Sequence, residues 1–185
     1  MKEYRDKFGY IIGFVIFVVA IPIIMYKLAP VDFISGPQMF ALGFLAPIGL
    51  ALSIWSIVYM RKVGQGNPLD AFGHEVGPRT QNLMTDGPYG LCRNPMLLGI
   101  YIYYLGVFIA LPSWQTAAIF LAFVLIMHFQ VKSEEKRLEA DFGTAYLVYK
   151  DNVPALIPKL RQERAQQQPK DKAEQQSDAP EFPNT

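Results

Sequence analysis

Cys92 is the only cysteine in a chain of 185 residues, so no internal disulfide framework can form. His74 and His128 are the only histidines, too few with Cys92 for a structural zinc site, and no metal is expected. Cys92 itself reads as a small buried side chain rather than a nucleophile. Charge is thin as well. Asp, Glu, Lys and Arg make up 18% of the chain and the net charge is +1, which excludes a nucleic-acid binder held by a basic surface. Apolar residues take the place of charge at 51%, more than a typical soluble domain carries. The length suits a single domain.

The apolar residues fall in four segments, at about 9–26, 37–60, 95–111 and 114–131. The first two are long enough for membrane-spanning helices of roughly 20 residues. No small-residue cleavage site follows Ala20, so the first segment is expected to be retained rather than removed as a signal peptide. Pro22 would kink it, which a helix bundle tolerates. Gly43, Pro47 and Gly49 give the second segment small or kinking positions of the kind that allow close packing in lipid. Pro112-Ser113 leaves so short a turn that the third and fourth segments must be antiparallel neighbours. Trp114, Tyr101, Tyr103 and Tyr104 read as interfacial anchors or pocket-lining residues. His128 is expected to be hydrogen-bonded between helices, and His74 to be a loop or interface histidine.

Charge placement orients these segments. Of the 17 Lys and Arg residues only Lys27 lies in the connections on one side of a four-span arrangement. The positive-inside rule then puts both termini and the 61–94 connection in the cytoplasm. The expected fold is an all-α membrane protein with four transmembrane helices, multi-pass in a bacterial inner membrane. Beyond the last span Leu138, Phe142, Tyr146 and Tyr149 recur at helical spacing. They predict a short cytoplasmic amphipathic helix, interrupted at Gly143, and then an extended closing segment over 152–158. Residues 1–160 form the domain, and 161–185 read as a disordered cytoplasmic tail without apolar residues enough for a core.

The connection at 61–94 ends in an unusual stretch, Thr85-Asp86-Gly87-Pro88-Tyr89-Gly90-Leu91-Cys92-Arg93-Asn94-Pro95-Met96-Leu97-Leu98-Gly99. Gly87-Pro88 and Asn94-Pro95 are turn or helix-entry dipeptides, because proline holds its own φ and pushes the preceding residue from the helical region. Pro95 suits the first turn of the next helix, with Asn94 as its cap. The stretch predicts a rigid elbow that sets Tyr89, Arg93 and Asn94 beside a helix N-terminus, where free N–H groups favour a polar or anionic ligand group. Gly64-x-Gly66 follows an apolar helix rather than a strand and is no dinucleotide fingerprint.

Gly87-Pro88-Tyr89, Arg93-Asn94-Pro95-Met96 and Gly99 resemble the signature of the isoprenylcysteine carboxyl methyltransferase family, to which the phospholipid N-methyltransferases are similar. A second block follows in the expected order: Glu134-Glu135, Leu138, Phe142-Gly143, Tyr146, Tyr149, Val153-Pro154 and Ile157-Pro158. The resemblance covers roughly residues 64–158. It implies an integral-membrane methyltransferase whose cofactor is S-adenosyl-L-methionine. Carried over by position, the cofactor-binding residues are Gln81, Asn82, Leu83, Met84, Tyr89, Asn94, Pro95, Met96, Leu97 and Glu134. The candidate catalytic residues are Arg93, Asn94 and Glu135. Glu134 would pair with the cofactor ammonium, Tyr89 would lie against the adenine or the sulfonium, and Arg93 would either bind a carboxylate or tie down the loop.

Two adjacent acids where a helix leaves the membrane are locally unfavourable unless the helix continues or a cation binds there. Three departures from the family pattern bear on the acceptor. Many relatives carry histidine where this chain has Asn94 and tyrosine where it has Leu97. Gln130 stands where prenylcysteine enzymes carry an arginine directed at the substrate carboxylate. The implied partners are the bilayer and a lipophilic carboxylate, amine or thiol. Two other readings fit the same layout: a non-catalytic membrane accessory protein of this fold, and a sterol-reductase-like oxidoreductase using a nicotinamide cofactor.

Overall fold

The computed structural model describes residues 13–31, 33–66 and 80–157. Among them every regular element is a helix, with no strand. Helix α1 covers Val15–Leu28, and its first part, Val15–Ala20, is π-helical. Helix α2 covers Gly36–Gly64 and closes in a π-helical turn from Met60. The short α3 spans Pro88–Leu91, α4 spans Pro95–Ala110, α5 spans Trp114–Phe142 and α6 spans Thr144–Asn152. Helices α2 and α5 are long and apolar enough to cross a membrane, while α1 and α4 are shorter apolar helices. The beginning of the first expected span, the last two residues of the Gly64–Pro68 stretch, His74 and the 161–185 tail lie outside the described residues.

Local chemistry sets the helix ends. Ser35 opens α2 in a capping box with Gln38, and Ser113 opens α5 in one with Thr116. Each box satisfies N–H groups that the first turn leaves free. Gly143, at φ 54°, breaks α5 from α6, a backbone region that a β-carbon disfavours. The apolar period seen in the sequence is therefore divided, with Leu138 and Phe142 on α5 and Tyr146 and Tyr149 on α6.

Helices α2 and α4 form the closest pair. A β-carbon on Gly49 would strike the Gly99 carbonyl and come within 2.7 Å of the Tyr103 nitrogen, and one on Gly99 would strike Ser53 and the Gly49 carbonyl. The two glycines thus face each other across a near-contact of backbones, and Ser53 Oγ adds a 2.9 Å hydrogen bond to the Met96 carbonyl. Gly43, expected to serve the same purpose, has open space around it. Its position on α2 faces away from α4.

Tyr103 and Tyr104 are buried inside the bundle instead of anchoring an interface. Pro22 has no N–H to offer the carbonyls four and five residues earlier, Val18 and Phe17. The Tyr103 hydroxyl donates to Val18 O at 2.8 Å and the Tyr104 hydroxyl to Phe17 O at 2.6 Å. The kinked π-helical stretch is thus completed by α4, as backbone groups in an apolar setting require. Tyr104 also packs edge-on against Phe123 of α5. Trp114 is 77% exposed and points outward. His128 lies on the exposed side of α5 beside Phe129, not between helices as expected, because that face of the helix turns from the bundle.

Candidate active site

The elbow forms as a sequence of tight local turns. Gly87 takes φ 59° and lies against the ring of Tyr59, so no side chain fits there. Pro88 then opens α3, and Pro95 opens α4 at once after it. Asn94 occupies the cap position of α4, with its carbonyl accepting from Leu98 N–H at 3.0 Å. Its side chain does not cap the helix, contrary to expectation. The amide turns to the closing segment and donates to Ala155 O at 3.1 Å. The lead-in to the elbow is fastened to the end of α2: Gln81 and Asn82 N–H both donate to Gly64 O, and the Asn82 side chain donates to Val63 O.

A pocket of about 460 Å³, open mouth included, lies where α2 ends, the elbow turns and α5 and α6 meet. It brings together Leu83, Met84, Tyr89, Arg93, Asn94, Glu134 and Glu135 from the residues singled out in the sequence. Pro95, Met96 and Leu97 stand behind it in the first turn of α4, and Gln81 and Asn82 are exposed beside α2. Met60, Thr80, Leu138, Tyr146 and Tyr149 complete the lining and were not among the expected site residues. For Leu138 and the two tyrosines the signal was present, as the apolar period past the last span. For Met60 and Thr80 no sequence pattern pointed there.

The charges of the pocket are paired unevenly. Arg93 donates from Nε and Nη2 to one oxygen of Glu135, at 3.1 and 2.5 Å, and from Nη1 to the carbonyls of Lys150 and Val153, at 2.9 and 2.6 Å. Lys150 reaches the other Glu135 oxygen at 3.5 Å and Glu139 at 2.5 Å, and hydrogen bonding to Glu139 raises its pKa. Glu134 is 34% exposed, with Arg137 at 3.9 Å one turn along. Helix α5 runs two turns beyond the glutamates, and that continuation removes the unfavourable helix end they would otherwise occupy. Cations from three elements answer them instead of a ligand alone.

The tyrosines are held neutral. Burial, and then the Glu134 carboxylate, push the Tyr89 phenol well above its ordinary value. Burial does the same for Tyr149 and Tyr146, with the next contribution from Tyr146 for the former and from Glu135 for the latter. The Tyr149 hydroxyl donates to Tyr89 O at 2.8 Å and joins α6 to the elbow. Cys92 is fully buried, as expected, and burial raises its thiol pKa. The pocket thus offers protonated phenols, the Glu134 and Glu135 carboxylates and the Met60 and Met84 thioethers.

An all-helical protein with an aromatic and acidic pocket at one end of its apolar bundle is the class that fold and site define. A profile of the phospholipid methyltransferase family matches residues 33–145, more than half of the chain, and the chain belongs to that family. It is 31% identical over 126 residues to the protein-S-isoprenylcysteine O-methyltransferase of Schizosaccharomyces pombe, covering 65% of this chain and 49% of that one. The rat protein of the same name is 27% identical over 130 residues, 68% of this chain and 45% of that one. The cobalt-zinc-cadmium resistance protein CzcN of Cupriavidus metallidurans is 32% identical over 85 residues, 45% of this chain and 39% of that one. The chain spans about half the length of the isoprenylcysteine methyltransferases it matches, and no solved structure matches it.

Proposed function

We propose that the chain is an S-adenosyl-L-methionine-dependent methyltransferase acting on a lipophilic or lipid-modified acceptor held in the bilayer, a carboxylate, amine or thiol. The meeting of Tyr89 and Asn94 with Glu134, 40 and more residues apart in sequence, carries the reading. The donor set suits a zwitterionic cation. Glu134 supplies a carboxylate for an ammonium, Tyr89, Tyr146 and Tyr149 supply neutral aromatic faces for a sulfonium, and Met60 and Met84 supply apolar wall. When bound, the cofactor supplies a methyl group already activated by its sulfonium. The residues of this chain then have to align the acceptor, exclude water and leave that positive charge in place. Phenols held protonated meet the last requirement. The names of the isoprenylcysteine relatives support transfer to a lipid-modified acceptor.

The same reading places the chain across a membrane four times, with both termini, the elbow and α6 cytoplasmic, in a bacterial inner membrane. Helix α5 supports it. Its 29 residues rise about 43 Å, and the roughly 30 Å hydrocarbon layer leaves the Glu134–Phe142 end outside. Calorimetric titration of the detergent-purified protein with S-adenosylhomocysteine tests the function, with saturable binding expected. A folded protein that binds a nicotinamide and not S-adenosylhomocysteine would be an oxidoreductase, and one that binds neither would be an accessory protein. Cysteine-accessibility labelling at Gln65 and Ile157 should modify both from one side; modification from opposite sides refutes the topology.

A further inference from the structure

We infer that Arg93 is the latch that holds α6 across the pocket, a positioning residue and not a group that meets the methyl acceptor; the pocket is the cofactor site proposed above. Four of the five guanidinium N–H groups are committed. Nη1 takes the carbonyls of Lys150 and Val153, and Nε and Nη2 take Glu135. Those carbonyls are at the C-terminal end of α6, where free acceptors and the negative dipole end favour a cation. The elbow backbone continues the attachment. Arg93 N–H donates to Pro154 O at 2.8 Å, and Asn94 donates to Ala155 O from both backbone and side chain at 3.1 Å.

Helix α6 has little apolar hold of its own. Its buried side chains are Tyr146 and Tyr149, both of which form the pocket wall, while Leu147 and Val148 are exposed. The wall is therefore held from the elbow, by Arg93 together with the Tyr149–Tyr89 hydrogen bond. Glu135 is the fixed point on α5: it receives Arg93 on one oxygen and Lys150 on the other, so it joins elbow, α5 and α6 at one carboxylate. The two adjacent glutamates thus divide their work, with Glu135 in the latch and Glu134 toward the cofactor. One Nη2 N–H remains, so an acceptor carboxylate could grip Arg93 with both oxygens only by displacing Glu135 or the two carbonyls, which would then be left without a donor.

Amide hydrogen exchange over Tyr146–Val153, measured without ligand, reads the latch directly. Arg93→Gln and Glu135→Gln are expected to speed exchange there about tenfold or more, with α4 unchanged, and to weaken S-adenosylhomocysteine about tenfold. Arg93→Lys should fall between, since an ammonium cannot serve the carboxylate and two carbonyls together. Unchanged α6 exchange in folded Arg93→Gln overturns the latch. If the wild-type protein does not bind S-adenosylhomocysteine, the proposed function fails and the exchange result still decides the latch. Should Arg93→Gln not fold, Arg93→Lys and Glu135→Gln decide it alone.

Discussion

Replacing Glu134 by glutamine keeps the size of the side chain and most of its hydrogen bonding and removes its charge. In the proposed site that charge faces the cofactor ammonium, and its field already reaches the Tyr89 phenol. Truncating one partner of a fully desolvated ion pair typically costs about 2–5 kcal/mol. Glu134 is 34% exposed, with Arg137 3.9 Å away, so solvent and a neighbouring cation share the interaction. A loss of about 1–2 kcal/mol is the better measure, which is roughly 5- to 30-fold in affinity. Calorimetric titration with S-adenosylhomocysteine reads it, with an unfolding curve to show that the fold is intact. Lys132→Gln, two residues earlier and exposed, is the control and should change affinity less than about twofold. Equal, small effects of the two substitutions in folded protein would remove Glu134 from the cofactor site. The case for a sulfonium ligand would then lose its one carboxylate outside the latch.

Other outcomes follow from the packing and the protonation states. Gly49→Ala should destabilise the protein by about 1–3 kcal/mol, since the new methyl meets backbone that cannot move aside, whereas Gly43→Ala, in open space, should be neutral or stabilising by up to about 1 kcal/mol; thermal unfolding in detergent compares them. Tyr104→Phe leaves the Phe17 carbonyl without its donor and should cost about 0.5–2 kcal/mol, with Tyr103→Phe similar at Val18. The raised pKa values of Tyr89, Tyr146, Tyr149 and Cys92 set the sign of an alkaline dependence. The unfolded chain loses these protons first, so their contribution is complete below about pH 8.5 and falls as pH rises through the ordinary thiol and phenol range near 10. Unfolding midpoints should therefore decline above about pH 9, and a midpoint that rises there would contradict the burial of these groups.

The helices themselves were legible in the chain because their determinants are local. Apolar runs bounded by Pro37, Pro95, Pro112-Ser113 and Gly143 mark where helices start and stop, and each boundary was read to within a few residues of its place. The elbow was legible for the same reason, since Gly87-Pro88 and Asn94-Pro95 restrict their own backbone. What each side chain there does was not. Asn94 reads as a cap until a carbonyl 61 residues away claims its amide. Arg93 reads equally as a carboxylate ligand or as a tie for the loop, and nothing in the sequence names Glu135, 42 residues on, or the end of α6 as its partners. The Gly49–Gly99 contact and the tyrosine hydroxyls on the carbonyls released by Pro22 belong to the same kind. Helical periodicity records which face of a segment is apolar but holds no record of which polar group on another helix will lie opposite. Only the packing of α1, α2, α4, α5 and α6 against one another decided that.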